Sequence, residues 1–359
     1  MSQSRHTKRG ILSHAYTASA IKSALERPSS KSPVRPGVAL AMQCDRTMLA
    51  PDTLPSIQLA PITSLPAVRR PTTSRSRFGD LEIVEPLATG GMGGVYLAAH
   101  VTTGERFALK VLDATLAKHP EVVARLHAEH AIAQRTLHPG LVRIHAARTG
   151  EQAGGVPYLV MEYLDGASLT HVAGDCELEL PAIYTIGAQV AAAVAALHAA
   201  GVVHCDVKPD NVLVLRERVD GELRVKVLDF GVSRLIDEPM PESPSIAGTP
   251  WCMAPEQWRG APEPASDVYA LGCLLFDLVT GDGPFAGSLP ELMYAHQEMR
   301  PARPSWLRAG VPASLDRLIL RALAKDPADR PSMTEMAAEL ADLSDAAALV
   351  AHGVMRAAC

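Results

Sequence analysis

The sequence predicts an α+β fold in two lobes, a small β-rich lobe carrying one helix followed by a larger helical lobe. Three observations predict it. Short strand-like runs between glycine turns occupy the first part of the ordered chain, and long runs with helical spacing occupy the second. A glycine-rich turn leads, one strand later, to a lysine in an apolar run, Phe107-Ala108-Leu109-Lys110. Two acids, a lysine and an amide then fall on two nearby segments, His204-Cys205-Asp206-Val207-Lys208-Pro209-Asp210-Asn211 and Asp229-Phe230-Gly231.

Taken in order, Leu81–Leu87, Val95–His100 and Arg106–Leu112 read as three strands. His119–Leu137 has helical spacing of apolar residues, and Leu141–Ala147 and Tyr158–Met161 read as two further strands. After Asp165-Gly166 the helical runs are Pro181–Ala200, Ser266–Thr280, Leu289–Met299, Ser314–Ala324 and Ser332–Leu343. Between the first two of these, Val212–Leu215 and Val225–Leu228 suit a hairpin around Asp220-Gly221. This places a small lobe at 78–164 and a helical lobe at 165–345, with a short C-terminal tail at 346–359. No internal repeat is visible.

Residues 1–77 differ in kind. They are rich in Ser, Thr, Pro and Arg, and carry 12 Lys/Arg against 3 Asp/Glu, whereas the rest of the chain carries 22 against 36. Disorder is the default for such a stretch. The sharper reading is a tail that docks on nucleic acid, on anionic lipid or on the acidic domain itself; no nucleic-acid partner is expected.

Of the 359 residues, 47% are hydrophobic and 20% charged, enough for a sizeable core. The six cysteines form no C-x-x-C pair, so they read as isolated thiols in a reducing compartment rather than a metal site. The Ala-rich run Ile183–Val203 contains Gln189 and His198 and is read as a buried helix, not a membrane span. No signal peptide is recognised. A cytoplasmic protein is the expectation.

The acid-bearing segments match H-x-D-x-K-x-x-N followed by D-F-G, a spacing specific to one chemistry. Phosphoryl transfer needs a carboxylate that can receive a hydroxyl proton and oxygen ligands for magnesium beside the triphosphate. Here the chain resembles the eukaryotic-like (Hanks-type) bacterial Ser/Thr protein kinases over about residues 78–345. The resemblance implies the two-lobed protein kinase fold, with ATP and Mg²⁺ as cofactors.

Leu87-Ala88-Thr89-Gly90-Gly91-Met92-Gly93-Gly94-Val95 resembles the glycine-rich loop G-x-G-x-x-G-x-V, whose bare backbone can approach phosphate. Ala88 replaces the first glycine, which is expected to stiffen the loop. Lys110 matches the strand lysine that contacts the α- and β-phosphates, and Glu129, rather than Glu121, falls where its helix partner is placed. Tyr158–Gly166 resembles the segment joining the lobes. There Met161 would guard the back of the pocket, the backbone of Glu162 and Leu164 would meet the adenine edge, and Val95, Ala108 and Leu213 would enclose the ring.

By the same resemblance Asp206 is the base that orients and accepts the substrate hydroxyl proton, and Lys208 neutralises charge on the γ-phosphoryl. Asn211 and Asp229 hold magnesium through oxygen, as a hard cation prefers. Gly248-Thr249 through Ala254-Pro255-Glu256 closes the segment that follows Asp229. Glu256 is expected to pair with Arg330, and Asp267 to cap the backbone of the catalytic loop. Lys208 together with Thr249 implies Ser/Thr rather than Tyr acceptors.

Cys205 departs from the family, which usually has Arg there to meet a phosphate on the activation loop. Without that charge, phosphorylation at Ser243 or Ser245 is not expected to be a strict requirement. The implied activity is transfer of the ATP γ-phosphoryl to protein Ser/Thr hydroxyls, with protein substrates as partners and self-phosphorylation in a dimer. Two rivals are a pseudokinase that binds nucleotide without turnover and a small-molecule phosphotransferase. The G-T…A-P-E end and the Glu256/Arg330 pair argue against the second.

Overall fold

The computed structural model describes residues 76–357 except 91, 151–154, 176, 219–221 and 237–247. The tail through residue 75, Gly91, the expected Asp220-Gly221 turn, and Ser243 and Ser245 lie outside the described residues, as do Cys44, Cys176 and Cys359.

The first lobe is a six-stranded antiparallel sheet in the order Arg77–Phe78, Leu81–Gly90, Gly93–His100, Arg106–Leu112, Val156–Glu162 and Ile144–Gly150. Its core joins Phe78, Leu81, Ala98, Leu109, Tyr158 and Val160. Phe78 meets Tyr158 edge to face at 5.0 Å between ring centres, an arrangement favoured by the ring quadrupoles.

One helix, Pro120–Ala133, packs against this sheet with Leu126, Glu129, Ile132 and Ala133 buried. Proline at its first position costs no hydrogen bond, and Glu121 in the first turn suits the positive helix end. The helix is shorter than the apolar spacing to Leu137 suggests, and Leu137 is 73% exposed.

The strand expected from Leu141 starts only at Ile144. Leu141 and Val142 turn to the second lobe instead. Val142 N–H donates to Val227 O at 3.0 Å, and Val227 N–H donates to Gly140 O at 2.7 Å. These bonds tie the strand that leads into Asp229 directly to the small lobe.

The second lobe is built on Leu180–Ala199, Pro264–Thr280, Leu289–Glu298, Ala313–Ala322 and Met333–Ala357. Among the described residues, Leu180–Ala199 is the one helix long and apolar enough to cross a membrane. Ile183, Ile186, Val190, Val194 and Leu197 on it are fully buried, each worth about 1.5–3 kcal/mol of burial. It packs against Pro264–Thr280 and Met333–Ala357.

The last helix runs well past the predicted end at Leu343, through the segment read as a tail. Leu343 and Ala347 pack on the core, and Thr185 Oγ1 lies 3.2 Å from Ser344 Oγ. Tertiary packing, not a stop signal in the sequence, sets its length.

A small antiparallel sheet of Val225–Val227, Val212–Leu215 and Gly166–Ser168 sits under the cleft. Sequence reading missed the third of these strands and the short helices Leu169–Asp175, Pro255–Trp258 and Pro304–Leu307, all too short to establish a periodicity.

Candidate active site

Strand register assembles the upper wall. Val95 pairs with Lys110, and Ala108 pairs with Met161. Opposed residues share a face, as do residues two apart along a strand, so Val95, Ala108, Lys110 and Met161 all lie on one side of the sheet. Leu213 sits on the second-lobe strand that begins just after Asn211. Glu162 N–H donates to Arg143 O at 3.0 Å, so its expected adenine contact rests on its carbonyl. The Glu162 carboxylate meets Lys226 Nζ at 2.5 Å and accepts from Arg143 N–H at 2.8 Å.

The glycine-rich hairpin is paired up to Gly90 opposite Gly93. Ala88 is a strand residue opposite Val95, so the missing glycine falls in the ladder rather than in the turn. Leu87 is half-buried, while Ala88, Thr89 and Gly90 are exposed. Met92 O accepts from Asp113 N–H at 2.9 Å. Gly93 has φ +148°, and a β-carbon there would stand 2.0 Å from Val111 O, so only glycine fits. Gly94 is buried beside it.

Lys110 is the junction of the lobes. Its Nζ donates to both Glu129 oxygens at 2.9 Å and to Asp229 Oδ1 at 2.8 Å. Burial works against its charge, but the Glu129 and Asp229 carboxylates outweigh it and hold the ammonium above its ordinary pKa. Burial pushes the Glu129 carboxyl up to about 7 despite Lys110.

Asp229 lies deep in the cleft, yet solvent reaches its side chain, which is 46% exposed. Its depth works to raise its pKa. Lys110 and the Gly231 N–H, which donates to Oδ1 at 3.1 Å, overcome that and hold it below the usual value. Asp229 also takes φ +62°, a left-handed conformation uncommon for a residue with a β-carbon.

The second cluster is tighter. Asp206 Oδ2 lies 2.7 Å from Lys208 Nζ, and Oδ1 accepts from Thr249 Oγ1 at 2.6 Å. Lys208 Nζ in turn donates to Thr249 Oγ1 at 2.8 Å. Burial opposes the Lys208 charge, but Asp206 holds its pKa above the ordinary value. Asn211 Nδ2 donates to Asp206 O at 2.9 Å and to Oδ2 at 3.0 Å. That leaves the Asn211 amide oxygen as acceptor.

Leu228 N–H donates to Asn211 O at 2.8 Å, which sets Asp229 beside Asn211. An amide oxygen and a solvent-reached carboxylate fit a hard divalent cation. Among the described residues no cluster of three or more His, Cys, Asp or Glu side chains offers another metal site.

The supports also stand where the motifs put them. Asp267, fully buried, accepts from His204 N–H and Cys205 N–H at 2.8 Å each and lies 2.8 Å from His198 Nε2. Arg330 grips Glu256 through two bonds of 2.7 and 2.9 Å. Cys205 is buried, and burial raises its thiol well above the ordinary value, so it is neither a charge nor a nucleophile at neutral pH. Sequence reading did not single out Gln257, whose amide reaches Cys205 O at 2.9 Å. No motif signals it.

The geometry is that of a two-lobed phosphotransferase, and the chain belongs to the protein kinase family: the protein kinase domain matches residues 81–340. It is 43% identical over 258 residues to serine/threonine-protein kinase Pkn1 of Myxococcus xanthus, covering 71% of this chain and 36% of that one. It is 37% identical over 279 residues to serine/threonine-protein kinase PknB of Mycobacterium tuberculosis, covering 75% and 44%. The chain thus spans less than half the length of these relatives. Among solved structures, the Mycobacterium tuberculosis PknI kinase domain superposes with a TM-score of 0.58 at 28% identity, covering 75% of this chain and 98% of that one. The two-lobed protein kinase fold expected from the sequence is the fold observed.

Proposed function

We propose that this chain is an ATP-dependent protein kinase that transfers the γ-phosphoryl to Ser or Thr hydroxyls of protein substrates. The observation that carries the reading is Lys110, bonded at once to Glu129 of the small lobe and Asp229 of the large one. In this reading the ammonium that binds phosphate stands beside the acid that would hold the metal. Pkn1 and PknB, both named serine/threonine-protein kinases, support the acceptor class.

In this mechanism the glycine hairpin and Lys110 position the triphosphate, and Glu129 keeps Lys110 aimed. Asn211 and Asp229 would hold Mg²⁺, which when bound offsets charge on the phosphate oxygens. The acceptor hydroxyl is oriented by Asp206, which takes its proton as the oxygen–phosphorus bond forms and the bond to the β-phosphate oxygen breaks, releasing ADP. Lys208 offsets charge on the transferred group. Positioning and charge stabilisation supply most of the catalysis in such a transfer.

The free, buried Cys205, Cys252 and Cys273 support a reducing, cytoplasmic setting. Self-phosphorylation between two copies is part of the reading, and a rate that rises with protein concentration would support it.

The test is transfer of label from γ-labelled ATP with Mg²⁺, followed by phosphoamino-acid analysis, for wild type, Lys110→Met and Asp206→Asn. Label on Ser and Thr in wild type alone is expected. No transfer by folded wild type, or equal transfer by D206N, overturns the proposal.

A further inference from the structure

The peptide unit between Cys205 and Asp206 decides where the Asp206 carboxylate points, and side chains hold both of its polar groups. Asp206 N–H donates to His204 Nδ1 at 3.3 Å, and Cys205 O accepts from Gln257 Nε2 at 2.9 Å. The preceding amide, Cys205 N–H, is held by Asp267. These restraints matter because Cys205 has φ +68°, a left-handed conformation that disfavours any residue with a β-carbon. The Cys205 side chain adds only a weak bond, its thiol donating to Val203 O at 3.7 Å.

Gln257 is 3% exposed and both ends of its amide are used. Oε1 accepts from Ala254 N–H at 3.0 Å while Nε2 donates to Cys205 O, so only one orientation of the amide serves both partners. Ala254 begins Ala254-Pro255-Glu256, the end of the segment that Arg330 anchors through Glu256. Gly248 leaves the clamp room. A β-carbon there would stand 3.2 Å from Cys205 O and 3.3 Å from Gln257 Nε2.

We propose that Gln257 is a positioning residue for phosphoryl transfer. Through Cys205 O it holds the left-handed turn that aims Asp206, and it makes that turn conditional on docking of Ala254-Pro255-Glu256. The main chain of residue 205 carries the coupling, so its side chain need carry no charge. The proposal rests on the phosphoryl-transfer reading, and its test separates the two.

The variants are Gln257→Leu, Gln257→Glu, and each combined with Cys205→Gly. Q257L loses the donor to Cys205 O outright, and Q257E loses it when its carboxyl is ionised, so both are assayed on the alkaline side of neutral. They are expected to lower kcat about tenfold while KM for ATP stays within about twofold. The backbone amides of 204–206 should exchange hydrogen about tenfold faster in each. Glycine accepts φ +68° unaided, so C205G in either background should restore most of the lost kcat. A merely structural glutamine would not yield to that rescue.

Q257E keeps the acceptor for Ala254 N–H and serves alone if Q257L does not fold. Wild-type kcat in both single variants, or a loss that follows lowered Tm and that C205G does not relieve, overturns the proposal. Inactive wild type would sink the kinase reading instead. Amide exchange then decides this proposal, and unchanged exchange in Q257E overturns it.

Discussion

Replacing Arg330 with Met tests a deeply buried charge pair. The Arg330 side chain is fully buried. Nη1 donates to Glu256 Oε1 at 2.7 Å and Ala265 O at 2.8 Å, Nη2 to Glu256 Oε2 at 2.9 Å and Lys325 O at 3.1 Å, and Nε to Ala324 O at 2.8 Å. The guanidinium also lies over the Tyr269 ring, 4.9 Å from its centre. R330M keeps the apolar stem but strands the Glu256 carboxylate in a dry site, with only Ser266 Oγ donating to it at 2.5 Å.

Breaking a buried pair from one side costs about 3–5 kcal/mol. For a domain of this size each kcal/mol is worth roughly 2–4 °C, so Tm should fall by about 10 °C. Glu256→Met/Arg330→Met removes the stranded charge, so the double variant should be more stable than the two single costs predict. The assay is thermal unfolding by circular dichroism of wild type, both single variants and the double. A drop below about 3 °C in R330M, or strict additivity in the double, would refute the reasoning.

D206N should retain nucleotide binding but lose about 10²–10⁴-fold in kcat, read by label transfer beside ATP titration. Thr249→Val removes the hydroxyl shared by Asp206 and Lys208 and should lower kcat about 10–100-fold, whereas Thr249→Ser should stay within about threefold; equal loss in both variants would assign the effect to packing. Burial pushes the Lys325 ammonium, with Arg330 nearby, down to about 8 from 10.5. The unfolded chain therefore binds more protons between those values, and stability gained from this group rises with pH across that window. The Tm of wild type relative to Lys325→Met should climb from pH 8 to 10, and a flat or falling difference would contradict it. Because Cys205 offers no charge to a loop phosphate, Ser243→Ala/Ser245→Ala should keep activity within about tenfold of wild type, and a hundredfold loss would refute that.

Much of the site was legible because phosphoryl transfer constrains residue types at fixed spacing. Lys110, Glu129, Asp206, Lys208, Asn211 and Asp229 were each assigned from motifs, and the fold brings them into two adjoining clusters. Choosing Glu129 over Glu121 also agrees with the geometry, since only Glu129 is buried on the sheet side of its helix. Gln257 was not legible. A glutamine after Ala254-Pro255-Glu256 looks like any polar helix residue until its two bonds are seen. Cys205 read as a missing charge, and its left-handed backbone was invisible.

The chain's own pattern therefore determined the order of elements, the two lobes and the chemical inventory, because periodicity and motif spacing are local properties. Tertiary structure alone decided three things. It turned Leu141 and Val142 away from their strand toward Val227, it extended the final helix along Leu180–Ala199, and it bonded the carbonyl of Cys205, the residue before Asp206, to an amide 52 positions further along the chain. Each depends on which buried donors and apolar faces find partners across long stretches of chain, and a linear pattern carries no record of that.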